Sequence, residues 1–304
     1  MTERPQDLHD RTALQLVIDP ILPAAMALRA EEHGVKRAAI DPLMVFVLSV
    51  LGGAFVAFGA IFATTVSAGT MAMSDGATLA LPYGITRLLI GLAFCLGLIL
   101  VVIGGAELFT GNNLIVMAWA SRKVTTRRLL GNWALVFAGN AVGALATAVL
   151  LFLSTQYTFG GGAVGLVALN TAHAKASLAF VPALILGILC NALVCLAVWM
   201  CYSARTSVDR VVSMVPPIAG FAAAGFEHSI ANLYFIPVGL LIRAGAPASF
   251  WDSIKRTPAD FPALTWENFL GNLVPVTLGN IIGGSLMVAA VYWFIYLRSR
   301  AERQ

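Results

Sequence analysis

The sequence predicts an all-helical membrane protein of six spans, arranged as two inverted halves whose second and fifth helices are broken. Three observations carry this. Only 11% of the 304 residues are charged and 59% are hydrophobic, whereas a soluble domain devotes about a quarter of its residues to charge. The apolar residues fall in six blocks, each about as long as a helix needs to cross the ~30 Å hydrocarbon core. Two polar motifs also recur in the same order in each half of the chain.

The blocks lie at about 42–66, 87–108, 129–154, 179–203, 211–242 and 269–297. They divide the chain into an N-terminal segment (1–40), a six-span domain (41–298) and a tail (299–304), with no room for a separate soluble domain. The polar start, "MTERPQDLHDRTALQLVIDP", has neither a short apolar core nor a small-residue cleavage site, so no signal peptide is expected. The next stretch, "DPILPAAMALRAEEHG", reads as a short amphipathic helix capped by Asp19, with Pro20 in its first turn and Gly34 as terminator, lying on or docking against the domain.

Lys and Arg cluster before the first span (Arg29, Lys36, Arg37), between Arg122 and Arg128, at Arg205 and Arg210, and at the tail (Arg298, Arg300, Arg303). The connections at 67–86, 155–178 and 243–268 carry few, mainly Lys175, Lys255 and Arg256. Cytoplasmic segments hold the excess of basic residues, so both termini are expected in the cytoplasm. The net charge of +4 is on this reading a topology signal and not a nucleic-acid-binding one. The four cysteines (Cys95, Cys190, Cys195, Cys201) fall inside spans without CxxC spacing. They read as packing thiols, with no disulfide, metal or cofactor implied.

"GAELFTGN" (Gly105 to Asn112) and "GFEHSIAN" (Gly225 to Asn232) share Gly, any, Glu, three residues, a small residue and Asn. "NWALVFAGNAVG" (Asn132 to Gly143) and "NLVPVTLGNIIG" (Asn272 to Gly283) share a second pattern downstream. With three spans per half, the second half lies upside down relative to the first, as in many channels and transporters. Both glutamate motifs interrupt an apolar block, and non-helical backbone at membrane depth is tolerated only where it is buried in protein or lines a cavity. Half-helices restarting after each break turn amides and a positive dipole end inward, a setting for a small anion.

His228 is an ionisable residue within a span, which reads as functional by default, with proton exchange near neutrality as its chemistry. The alternative is a structural histidine bonded at the break. Glu107 and Glu227 read either as proton relays or, preferably, as caps for the orphaned amides of their broken helices. Thr110 offers a hydroxyl to an oxyanion or bonds back to its own helix. Asn132, Asn140, Asn272 and Asn280 read as interhelical glue, and Asn191 as a pore residue. Lys175 is a solvated charge or part of an anion funnel. Phe94, Leu98, Leu108, Phe109, Val194 and Phe221 are apolar residues suited either to lipid-facing or core packing or to constrictions.

Taken together, "LPAAMA", "GLILVVIGGAELFTGN", "GNAVGAL", "GILCNALVCLAVWM", "GFEHSIAN" and "NLVPVTLGNIIGG" resemble the formate–nitrite transporter family, formate channels most closely, from about residue 20 to the last span. The resemblance implies an aquaporin-like fold in a homopentamer, one pore per protomer, in the bacterial inner membrane. It implies a flexible cytoplasm-side segment near Gly111 to Trp119. It carries the pore histidine over to His228, its threonine partner to Thr110 and a pore asparagine to Asn191. It also implies a cytoplasmic-side constriction of Phe94, Leu98 and Phe221 and a periplasmic-side one of Leu108, Phe109 and Val194. Formate or a related small monovalent anion, with or without a proton, is the implied substrate. Nitrite and hydrosulfide are alternatives, because "GAELFTGN" is common to all three kinds of member. Leu28 followed by Arg29 stands where similar formate channels often have a lysine. A membrane-embedded enzyme lacks a nucleophile or metal cluster beside His228, and a neutral-solute channel lacks the paired Asn-Pro-Ala signature.

Overall fold

A computed structural model describes residues 19–70 and 81–301. The first eighteen residues, part of the 67–86 connection and Arg303, on which some of the expectations above fall, lie outside the described residues. Helices α1 (Pro23–Ala39), α2 (Pro42–Thr70) and α3 (Tyr83–Gly104) lead to a 3-10 turn (Gly111–Ile115) that runs into the short α4 (Val116–Ala120). Then come α5 (Thr126–Leu153), α6 (Ala163–Ala176), α7 (Phe180–Cys201), α8 (Ser207–Ala224), α9 (Ser229–Gly245) and α10 (Ala248–Ile254). The last span starts as α11 (Trp266–Ile281), passes through a π-helical stretch (Ile282–Ala290) and ends as α12 (Val291–Tyr296). Helices α2, α3, α5, α7 and the last span are each long and apolar enough to cross a bilayer, and α8 with α9, bent by 47°, makes the sixth span.

α1 differs from its sequence reading. It starts at Pro23 behind Leu22, and it runs through Gly34 to Ala39. Gly34 does not stop the helix because its role is close packing: a Cβ there would stand 3.0 Å from the Cβ of Ala118. Met26, Ala27, Ala30 and Gly34 bury this face against Ile115, Val116, Met117 and Ala118.

The repeat is longer than three spans. α1 precedes α2 as α6 precedes α7, and each of these short helices carries a cation in its last turn (Arg37, Lys175) whose partner is its own half's motif glutamate. Each half therefore opens with a short helix ahead of its three spans.

Within each half the first and third spans meet backbone to backbone. Gly143 of α5 lies against Val50 and Ala54 of α2, and a Cβ there would stand 2.9 Å from the Ala54 nitrogen. Gly283, its repeat mate, lies against Ile188 and Ala192 of α7, where a Cβ would stand 3.1 Å from the Ala192 nitrogen. Small residues allow this approach where no hydrophobic effect drives helices together.

Gly143→Ala and Gly283→Ala each force two helices apart and are expected to cost about 1–3 kcal/mol, read as a lowered melting temperature in detergent. Gly84→Ala, with nothing within 4 Å of the new Cβ, is the matched control. Equal melting of Gly283→Ala and the control contradicts the packing described.

Candidate functional site

Both breaks are built alike. α3 ends at Gly105 (φ 77°, ψ 26°) and α8 at Gly225 (φ 78°, ψ 28°), the left-handed conformation that glycine adopts without a Cβ penalty. The chain then leaves the helix at the glutamate, whose N–H donates to the neighbouring span: Glu107 N to Leu48 O at 3.2 Å, Glu227 N to Leu186 O at 3.3 Å. One asparagine per half completes the repair. Asn140 donates to Glu107 O (2.9 Å) and Ser49 O (2.7 Å) and accepts from Phe109 N (2.9 Å). Asn280 does the same with Glu227 O (3.0 Å), Gly187 O (2.8 Å) and Ser229 N (2.9 Å).

The glutamates therefore do not cap amides, contrary to the preferred sequence reading, because a carboxamide has both a donor and an acceptor for the exposed backbone and a carboxylate only accepts. Glu107 instead accepts from Asn112 Nδ2 (2.6 Å) and pairs with Arg37 (3.5 Å). Glu227 accepts from Asn232 Nδ2 (2.7 Å) and pairs with Lys175 (2.7 Å). Asn112 and Asn232 go on to Asn132 (2.9 Å) and Asn272 (2.8 Å). Lys175 is thus an ion-paired residue that also lines a cavity. The amides of the restarting helix are likewise engaged, Ser229 N by Asn280 and Ala231 N by His228, and the first break restarts only as the 3-10 turn.

Symmetry ends at the side chains that follow the glutamates. His228 occupies in the second motif the place that Leu108 holds in the first. The histidine is the N-cap of α9, its Nδ1 accepting from Ala231 N at 3.1 Å, and its Nε2 stands 2.9 Å from Thr110 Oγ1. A backbone N–H can only donate, so Nδ1 carries no proton. In the neutral ring the proton is on Nε2, which donates to Thr110 and leaves the threonine hydroxyl proton free for another acceptor. Phe221 stacks on the imidazole at 6.1 Å and meets Phe94 edge-on at 5.6 Å.

Asn191 is buried and turned to the protein: its Nδ2 lies 2.7 Å from Asn113 Oδ1, 2.6 Å from Asn280 O and 3.3 Å from Thr110 O. It lines neither cavity and holds the backbone of Thr110 in place.

Two cavities approach the His228–Thr110 pair: His228 lines one, Leu108 and Gly111 line the other, and Thr110 is buried between them without lining either. One, of about 130 Å³, lies on the side away from α1 and includes Arg87, Phe94, Lys175, Phe221 and His228. The other, of about 110 Å³, lies beside α1 and includes His33, Arg37, Leu98, Leu108, Gly111 and Arg210. Partial burial and then the charges of Arg37, Lys36 and Arg210 push His33 below the usual histidine range, a sign of an electropositive mouth. The constriction residues group differently from the sequence expectation. Phe94 and Phe221 belong to the cavity away from α1, and Leu98 and Leu108 to the one beside it. The inverted repeat explains the exchange: Phe221 precedes the second break, so it approaches the centre from the opposite membrane face to Leu108. Phe109 and Val194 line neither cavity, and the Phe109 ring packs edge-on against Trp133 (6.3 Å) and Phe137 (5.1 Å).

Sequence reasoning missed Arg87, His33 and Arg210 at the mouths, and Asn112 and Asn232 as carboxylate partners. The last two were legible, since each closes its repeated motif five residues after the glutamate.

A family model for formate/nitrite transporters matches residues 24–294. The formate channel FocA of Escherichia coli K12 is 47% identical over 281 residues, 92% of this chain and 96% of that one. The formate channel FocA of Haemophilus influenzae is 40% identical, covering 85% of this chain and 89% of its own. A solved structure of a pentameric formate channel with formate bound superposes with a TM-score of 0.78 at 42% identity, covering 84% of this chain and 98% of the other.

Lys175→Gln leaves the Glu227 carboxylate, 4% exposed, without its counter-charge, and is expected to cost about 3–5 kcal/mol in thermal melting. The double variant Lys175→Gln/Glu227→Gln, with no buried charge, is expected to regain most of that. A double variant no more stable than the single contradicts the pairing.

Proposed function

The chain belongs to the formate/nitrite transporter family, and from that premise we propose that it is a formate channel, a homopentamer in the bacterial inner membrane with one pore per protomer and both termini cytoplasmic. It moves its substrate unchanged; it is not an enzyme. The observation that carries the reading is the Nε2–Oγ1 pair of His228 and Thr110 (2.9 Å) lying between two cation-lined cavities. The names of the relatives support formate over nitrite, and the same geometry serves either anion.

An anion reaching the apolar rings sheds water at a cost far above thermal energy. At rest His228 offers no positive charge against that cost, because making imidazolium means protonating Nδ1 and giving up the bond from Ala231. The centre therefore meets formate with a hydrogen-bond donor, the Thr110 hydroxyl. Charge is removed by a proton from the water of the cavity, taken up by the carboxylate while the Thr110 hydroxyl, itself held by His228 Nε2–H, hydrogen-bonds it, and formic acid passes Phe94 and Phe221 on one side or Leu98 and Leu108 on the other. The direction of flow follows the gradients of formate and pH. Glu107 and Glu227 keep the cations at the two mouths in position.

In proteoliposomes, formate uptake is expected to carry one proton per formate and to be insensitive to membrane potential. His228→Asn is expected to slow it about a hundredfold while leaving the melting temperature near native. Formate-driven net current with no proton movement, or native rates in His228→Asn, contradicts the mechanism. Faster nitrite than formate flux keeps the mechanism and changes the substrate.

A further inference from the structure

A helix that ends at a break presents its carbonyl end, the negative end of its dipole. For an anion path that polarity is unfavourable unless something covers it. At the end of α8 it is covered by Arg87, from the first turns of α3: Nε donates to Ala223 O at 2.7 Å and Nη2 to Ala222 O at 2.8 Å. Gly225 leaves room for the guanidinium, since a Cβ there would stand 3.1 Å from Nη2.

The arginine has no acidic partner among the described residues. The glutamate of that break, Glu227, is committed to Lys175 and Asn232, and Arg87 Nη1 donates to no protein acceptor among the described residues. Arg87 is half-buried and lines the cavity that also holds Lys175 and His228. Two bonds thus fix the guanidinium in orientation while its charge and one N–H₂ group remain available. An arginine fork prepared in this way suits a carboxylate. The first break has no equivalent: no arginine bond to the last carbonyls of α3 occurs among the described residues, and Arg37, Arg210 and His33 line that mouth instead.

We propose that Arg87 is the docking and specificity residue of the mouth away from the chain termini, holding a small monovalent carboxylate before it reaches His228 and turning the carbonyl end of α8 from repulsive to attractive. This rests on the reading of the pore as a formate path. Arg87 acts before the central pair, so its loss weakens capture and leaves the crossing step intact.

The test is formate uptake into right-side-out and inverted membrane vesicles carrying native protein, Arg87→Gln or Arg87→Lys, over a range of formate concentration and ionic strength. Arg87→Gln is expected to raise the apparent KM about tenfold from one face only, to flatten the salt dependence from that face and to keep the maximal rate within about twofold of native. Arg87→Lys, which keeps the charge and loses the fork, is expected to restore the salt dependence and to recover only part of the KM. If both variants lower the maximal rate and the melting temperature with KM unchanged, Arg87 is only a cap and the proposal is overturned. Native vesicles that move formate while Arg87→Gln matches them in KM and salt dependence overturn the docking role alone. Native vesicles that move neither formate nor nitrite overturn the pore reading and the docking role with it.

Discussion

No backbone polar group is left unpaired at membrane depth without a cost of several kcal/mol, and the two helix breaks meet that constraint with one carboxamide each. Asn280 reaches from the last span to take an N–H and two carbonyls around Glu227, and Asn140 does the same around Glu107. With those groups paired, the chain can leave the helix at the glutamate and restart at a new angle. The 47° bend between α8 and α9, the close approach of the first and third spans through Gly143 and Gly283, and the placement of His228 as a cap all depend on it.

The carboxylates have a second consequence. A buried glutamate needs a cation, and each half brings one on a short helix that precedes its first span: Arg37 on α1, Lys175 on α6. Both cations also line the cavities, so the residues that pair the glutamates are the ones that bring positive charge to the two mouths. The scaffold is close to symmetric and its chemistry is not. Leu108 replaces His228, a 3-10 turn replaces the start of α9, and the last span has a π-helical stretch where α5 is regular. The two-fold scaffold thus carries a single histidine at its breaks, and that histidine lines only the cavity away from α1.

Much of this was legible in the residues. The six spans follow from block length, and the breaks and the inversion follow from "GAELFTGN" and "GFEHSIAN". Thr110 and His228 were singled out as oxyanion and proton groups, and the structure brings them to 2.9 Å. What stayed hidden is what depends on depth and on partners far apart in sequence. Glu227 and Lys175 are 52 residues apart, and no local pattern links them. Arg87 reads as an ordinary charge at a span boundary until α8 is packed beside it. Gly34 looks like a helix stop, and only the docked Ala118 explains why it is not. Of the residues expected at constrictions, Phe94, Phe221, Leu98 and Leu108 line the cavities and Phe109 and Val194 do not, because composition cannot say which membrane face a side chain approaches from.

The histidine at the break rests as a neutral ring with its proton on Nε2, held so by the Ala231 N–H and offered to Thr110. The most direct test is the ¹⁵N spectrum of the His228 imidazole in lipid nanodiscs at neutral pH, assigned by its loss in His228→Asn. One protonated and one unprotonated nitrogen, with the proton on Nε2, are expected. Two protonated nitrogens, or a proton on Nδ1, contradict this resting state and return the centre of the pore to a purely electrostatic role.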